Sequence, residues 1–430
     1  MKKVLIITYY WPPAGGPGVQ RALKFAKYLP EFGWQPIILT VKNGEFPAYD
    51  ESLFSDIPDE CKVYKTPAIE PFSLYKKFTG MDANEAIPVA TLTEKKTNWK
   101  KKLAHWIRLN LFIPDAKIGW IPYAVKAGKH IIRNEKPDII FSSSPPPTVH
   151  LIARSLARWS RIKWIADFRD PWTKIHYYHN KRTRLSQLAD NNLEHKTISS
   201  CSRTTCVSPK FSRLLTLNRN KKIEIIPNGY DENELSSKWK QTDFFYIIHV
   251  GGINRSRYYQ SFFGSLQNLI KTNKLNSDRV QLLFIGKVDS SIQNSIKQEF
   301  SELNKVKFIG YIPHIKAIDY MYRATVLLLF LENTKNYEGH VPGKLFEYVA
   351  TGNYILGIGP KTGDAAYILE ETGIGKMFEK TDQMGIEKAI EIQYENWIKG
   401  IRPNINTEII KKYSRKALTQ QLATIFHSLA

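Results

Sequence analysis

Short apolar runs alternate along the chain with longer stretches whose apolar positions recur every three or four residues. Val4-Leu5-Ile6-Ile7-Thr8 reads as a buried strand. The turn-rich Pro12-Pro13-Ala14-Gly15-Gly16-Pro17-Gly18 follows, and then Val19, Leu23, Ala26 and Leu29 at helical spacing. The same plan recurs downstream: Tyr246-Ile247-Ile248-His249-Val250, then Gly251-Gly252, then Phe262, Leu266 and Leu269. Other strand-like runs are Pro36–Leu39, Asp138–Phe141, Lys163–Ala166, Gln281–Ile285, Val326–Leu329 and Tyr354–Leu356. Strands alternating with helices predict an α/β chain with parallel sheets covered on both faces. Two segments that each open strand, glycine turn, helix predict two doubly wound, Rossmann-like domains facing each other across a cleft.

Ile223–Ile226 reads as a strand, Pro227-Asn228-Gly229-Tyr230-Asp231 as a turn, and Glu232 to Asp243 as a polar linker. The expected domains are therefore 1–235 and 236–410. A last helical stretch, 411–430, is able to pack on either domain, including by crossing back to the first. Residues 70–120 fit the alternation poorly. Lys95-Lys96 and Lys100-Lys101-Lys102 adjoin Leu103, Trp106, Ile107, Leu109 and Leu111-Phe112-Ile113. Two readings stand here: an interfacial amphipathic helix, or an ordinary helix with a core face and solvated lysines.

Composition narrows the class. The chain has 430 residues, 43% hydrophobic and 24% charged, which suits two or three globular domains and excludes a disordered or fibrous chain. Its longest aliphatic and aromatic run, Val326–Leu331, falls far short of the roughly 18 residues a membrane span requires. Four apolar residues after Met1-Lys2-Lys3 do not make a signal peptide. Three cysteines, Cys61, Cys201 and Cys206, fit a reducing compartment better than a disulfide framework. The expected location is cytoplasmic, with peripheral contact at the inner face of the plasma membrane as an option. Charge is uneven: residues 95–230 hold 27 Lys and Arg against 8 Asp and Glu, a net of +19, in a chain of net +22. Such a region attracts anionic lipid, anionic acceptors or nucleic acid.

Gly15, Gly16 and Gly18, between a strand and a helix start, let backbone N–H groups approach a phosphate; a ligand-free tight turn is the alternative. Neither the dinucleotide fingerprint nor a P-loop is present, since Gln20 and Arg21 stand where the fingerprint needs glycine. Gly343-Lys344 open a predicted helix whose free N–H groups and ammonium make a diphosphate seat, and Glu347, one turn on, is placed to accept from a ribose diol. Asp167-Phe168-Arg169-Asp170 ends a strand, where open α/β sheets place ligands; an internal salt-bridge network is the alternative. Trp11, Trp120 and Trp172 suit a sugar or lipid site, or the core. His176, His179 and His195 have no standard metal spacing, so no metal site is expected.

Several blocks, in this order, resemble a family: Pro12–Gly18, Pro114-Asp115 with Trp120, Ser142–Pro146, Asp167-Phe168-Arg169-Asp170-Pro171-Trp172, Pro227-Asn228-Gly229, Gly310-Tyr311-Ile312-Pro313-His314 and Gly343-Lys344-Leu345-Phe346-Glu347-Tyr348. Nearly end to end, the chain is similar to GT-B glycosyltransferases of family 4, a retaining group that includes bacterial surface-polysaccharide enzymes. The resemblance implies a nucleoside-diphosphate sugar held by the C-terminal domain and a glycan or lipid-diphosphate-linked acceptor on the N-terminal side. It assigns donor binding to Gly252, Arg257 or Arg255, Lys344, Leu345 and Glu347. A second carboxylate, eight positions before Glu347 in many relatives, falls here on Gly339, with Glu338 its neighbour and candidate. Where many relatives carry a histidine after the fourth N-domain strand, this chain offers Asp167, Arg169 and Asp170. The implied reaction needs no metal and no cofactor. A GT-B fold without activity, or a basic-face binding protein, is the alternative; no nucleic-acid-binding signature is present.

Overall fold

The computed structural model describes residues 1–46, 48–69, 99–175, 181–216, 222–235, 242–300, 306–332, 337–403 and 405–430. Lys95-Lys96, His176, His179 and half of the expected polar linker lie outside them. The chain forms two compact units, Met1–Pro227 with Arg415–Ala430, and Asn228–Ser414.

Among the described residues the first unit holds seven parallel strands: β1 (Lys2–Ile7), β2 (Trp34–Val41), β3 (Lys62–Thr66), β4 (Ile139–Ser144), β5 (Lys163–Phe168), β6 (Arg203–Cys206) and β7 (Glu224–Ile225). Their order is β3-β2-β1-β4-β5-β6-β7. The second unit holds six, β8 (Phe245–Val250), β9 (Val280–Ile285), β10 (Val306–Ile309), β11 (Val326–Phe330), β12 (Tyr354–Ile358) and β13 (Gly375–Phe378), ordered β10-β9-β8-β11-β12-β13. All the pairings are parallel. A parallel sheet is covered on both faces, which is why β4, β9 and β11 are buried at every position and, Gln281 in β9 apart, read as apolar or small-residue runs. Four strands escaped the apolar pattern: β3, β10 and β13 are half-exposed edges, and β6 is Arg203-Thr204-Thr205-Cys206, whose buried threonines look polar on paper.

Each sheet has one core per face. In the first unit, Leu5, Ile7 and Ile140 point into one layer and Val4, Ile6 and Phe141 into the other. Leu418, Leu422, Ala423 and Phe426 of the helix Arg415–His427 complete the second layer, with the Phe426 ring edge-on to Trp34 at 5.2 Å. The expected single helix from Lys411 is two, Thr407–Lys411 and Arg415–His427. The break is a bridge from Ser414 to Tyr230, where Tyr230 N–H donates to the Tyr413 carbonyl at 3.2 Å.

In both sheets the chain leaves the central strand pair, β1/β4 or β8/β11, in opposite directions. Loops diverge there, opening a crevice beyond the strands' C-terminal ends. Gly15 and Gly16 follow β1 and Gly251-Gly252 follow β8, whereas Asp167 lies at the end of β5, next to β4, and Lys344 and Glu347 stand on the helix that follows β11.

Candidate functional site

In the second unit, β8 ends in His249-Val250 and passes into Gly251-Gly252. Gly251 N–H donates to Ile285 O at 2.7 Å with φ +119°, and Gly286 beside it has φ +118°. A Cβ on Gly286 would stand 2.7 Å from the Gly251 carbonyl oxygen, and one on Gly251 would stand 3.3 Å from Lys344 Nζ. Only glycine takes this backbone cheaply. Gly286→Ala is expected to destabilise this unit by about 1–3 kcal/mol. Gly264→Ala, in the helix Gln260–Lys271, should not; melting curves of both variants check this.

Lys344 stands in the first turn of the helix Gly343–Thr351. Its Nζ donates to Val250 O at 2.8 Å and lies 3.3 Å from His249 Nε2. His249 Nδ1 is 3.0 Å from Leu328 O, so Nδ1 carries the proton and Nε2 offers Lys344 a lone pair. Burial and the adjacent ammonium hold His249 neutral, its pKa well below the ordinary value. Tyr348 Oη accepts from Val250 N–H at 2.8 Å, one helical turn beyond Lys344. Burial, and secondarily the Arg257 charge, pull Lys344 down to about 7, against the opposing pull of Glu347. Among the described residues no carboxylate makes an ion pair with Lys344.

Arg257 is half-buried, its Nε 3.3 Å from Glu332 Oε1 and its Nη2 donating to Tyr337 Oη at 3.3 Å. Arg255 is exposed, so of the two candidate arginines Arg257 is the one whose field reaches Lys344. Glu347 Oε1 lies 3.7 Å from His314 Nε2, which is 3.1 Å from Glu234 Oε2. Gly252 is exposed at the loop, and Gly343 has open space where a Cβ would stand. Leu345 does not fit its expected donor-binding role: its side chain is in the core and its N–H donates to Pro342 O at 3.0 Å. Glu338 is exposed and its carbonyl accepts from Asp364 N–H at 2.8 Å; Gly339 is buried.

In the first unit, Asp167 at the end of β5 is fully buried. Arg21, from the helix Pro17–Tyr28, grips it with Nε at 2.9 Å and Nη2 at 2.7 Å, while Ser143 and Thr205 hydroxyls donate at 2.6 and 2.7 Å. Burial raises its carboxyl, but Arg21 and the hydroxyls outweigh that and hold it below the usual range. Both Asp167 oxygens are taken by partners inside the sheet, the arrangement of the internal salt-bridge alternative. Arg169 and Asp170 are half-buried just beyond, and Arg169 Nη1 donates to Gly18 O. Of the glycine loop, Gly15 N–H donates to Ala48 O at 2.8 Å, and Gly16, at φ +83°, caps the helix. Gly15, Gly16 and Gly18 thus belong to the first unit, and Lys344, Arg257 and Glu347 to the second. Trp11, Trp120 and Trp172 are all core; Trp120 Nε1 donates to Thr66 and Trp172 Nε1 to Asp190.

Sequence reasoning passed over Arg21, Ser143, Thr205, His249 and Tyr348 as site residues. His249 had a signal: it is a polar residue inside the apolar run Tyr246–Val250, a position that demands a buried partner.

The model of Glycosyltransferase Family 4 matches residues 18–234. No curated protein matches the chain. Among solved structures it resembles a glycosyltransferase from Rickettsia africae ESF-5, with TM-score 0.61, 14% identity, and coverage of 100% of this chain and 98% of that one. It resembles Anabaena HepE, solved in complex with UDP-glucose, with TM-score 0.62, 13% identity and complete coverage of both chains. WaaG, a glycosyltransferase involved in lipopolysaccharide biosynthesis, matches with TM-score 0.53, 11% identity, and coverage of 98% of this chain and 99% of that one. At such identities the likeness is one of fold.

Proposed function

The chain belongs to glycosyltransferase family 4 and has the two-domain GT-B fold, and from that premise we propose that it transfers a sugar, with retention, from a nucleoside-diphosphate sugar to a glycan or lipid-diphosphate-linked acceptor of the cell envelope. One observation carries the donor half: a half-buried ammonium, Lys344, at a helix N-terminus, with Arg257 in its field and, among the described residues, no carboxylate in an ion pair with it. Such a site suits a diphosphate. Glu347 takes the ribose diol. HepE, of the same fold, was solved with UDP-glucose, which supports this class of donor.

In the reaction the anomeric C–O bond to the diphosphate lengthens and negative charge grows on the leaving oxygens. Lys344, Arg257 and the N-terminal end of the helix Gly343–Thr351 are the groups that stabilise that charge in this reading. The acceptor hydroxyl attacks from the same face and gives its proton to the departing phosphate oxygen, so no side-chain base is required. Two cations and a helix end provide charge that a metal would otherwise bring, and the reaction is read as independent of metals and cofactors. Arg169 and Asp170 serve the acceptor side, with peripheral contact at an anionic membrane on the cytoplasmic face.

A second reading, a fold that binds nucleotide without transfer, draws on one observation: the position eight before Glu347 is the buried Gly339, and Glu338 is exposed. Thermal melting with UDP, GDP, ADP, CMP and dTDP tests the donor site. A ligand at a hundredfold excess over Kd adds about 2.7 kcal/mol. One nucleotide is expected to raise the midpoint by roughly 5–10 °C. No shift with any of them overturns the donor site; a shift without sugar transfer favours the second reading.

A further inference from the structure

The helix Trp99–Asn110 turns the wrong side outward for a solvated helix. Ala104 and Leu109 are buried, while Trp99, Leu103 and Trp106, at positions i, i+4 and i+7, stand in solvent; Trp99 is 64% exposed. Leu111 continues the exposed stripe just past the helix end. A second helix joins the same place. Asn110 Oδ1 accepts from Thr183 N–H at 2.7 Å and the Asn110 carbonyl accepts from Ser186 Oγ at 3.0 Å. These bonds dock the start of the helix Arg184–Ser200, which exposes Leu185 and Leu188, the former at 80%. Six large apolar side chains thus lie exposed along or just beyond two helices that meet at Asn110, more than scattered surface residues explain.

The rim is basic. Lys102, Lys181 and Arg184 are exposed, and Lys100-Lys101 precede Lys102 in the sequence. His105 lies between the charges of Arg108 and Lys181, which add to burial in lowering its pKa. Tryptophan and leucine beside lysine and arginine match the two layers of an anionic bilayer surface: acyl boundary for the rings, headgroup phosphates for the cations. Nucleic acid would use the cations but leave the leucines in water.

We propose that this two-helix face, centred on Trp99, Leu103, Trp106, Leu111, Leu185 and Leu188, seats the protein on an anionic lipid surface. It delivers the enzyme to a lipid-linked acceptor, and in that use it rests on the function proposed above; the contact itself does not depend on the donor site.

Co-sedimentation of the full chain with phosphatidylcholine vesicles, with and without phosphatidylglycerol, tests it. Binding is expected only to the anionic vesicles, to weaken with salt, and to fall about tenfold or more in Trp99→Ser/Trp106→Ser and in Leu185→Ser/Leu188→Ser. Both variants should keep the wild-type melting curve and any nucleotide-induced shift, which separates a lost surface from a lost fold or donor site. No binding to anionic vesicles, equal binding to both vesicle types, or anionic binding unaltered in both variants overturns the proposal. A wild-type dimer that the substitutions make monomeric, without vesicle binding, assigns the face to a second copy and overturns it too.

Discussion

Lys344→Ala is expected to lower turnover of the sugar donor by about 10²–10³-fold, the usual cost of removing one preorganised donor from a developing anion. Transfer assays at saturating acceptor measure it. The loss must not come from unfolding, and the site itself says it will not. Lys344 is a half-buried ammonium pulled down to about 7 by the loss of water around it and by Arg257, so the native state bears the cost of charging it. Between pH 7 and its ordinary 10.5, the unfolded chain holds a proton at this position that the native chain does not. Stability therefore rises with pH across that window and lacks this contribution below it. Lys344→Met removes the group and its slope. Parallel melting-temperature profiles for wild type and Lys344→Met would show that the ammonium is not buried as described. A diphosphate reverses the balance by pairing the charge, so donor affinity falls as pH rises through about 7, and binding near neutrality takes up a proton, readable by calorimetry in buffers of different ionisation heat.

Arg21→Met is the largest stability loss anticipated. It leaves the Asp167 carboxylate inside the sheet with two hydroxyl donors and no ion-pair partner, with only the more distant field of Arg169 as positive charge. Stripping one partner from a buried pair costs about 3–5 kcal/mol. For a unit of this size that lowers the melting midpoint by roughly 6–20 °C. Arg21→Met/Asp167→Asn should recover much of it, because the uncompensated charge is gone. If the double variant melts no higher than the single one, the loss was packing around the arginine stem. A depressed carboxyl also sets the acid limb: its contribution is present above the ordinary carboxylate range and is lost as pH falls through its native pKa.

Sequence alone determined the α/β class, two doubly wound units and most of the strands, because central parallel strands must be apolar on both faces and their helices amphipathic. It also singled out Lys344 and Glu347, since a helix start fixes where a first-turn ammonium and a carboxylate three residues later can stand. Edge strands escaped because half their side chains meet water, and β6 because its threonines satisfy their hydroxyls internally, Thr205 on Asp167. What only the tertiary structure decided was the meaning of each polar residue. Asp167 and Asp170 are three apart at one strand end, yet the first is consumed by Arg21 from another element and the second remains at the rim. Arg257 rather than Arg255 reaches Lys344, and Leu345 faces the core. The tryptophans divide the same way: Trp11, Trp120 and Trp172 are core, while Trp99 and Trp106 stand in solvent. Charge and size are written in the chain, but burial and partners are set by which elements meet, and those two decide whether a group holds the fold or meets a ligand.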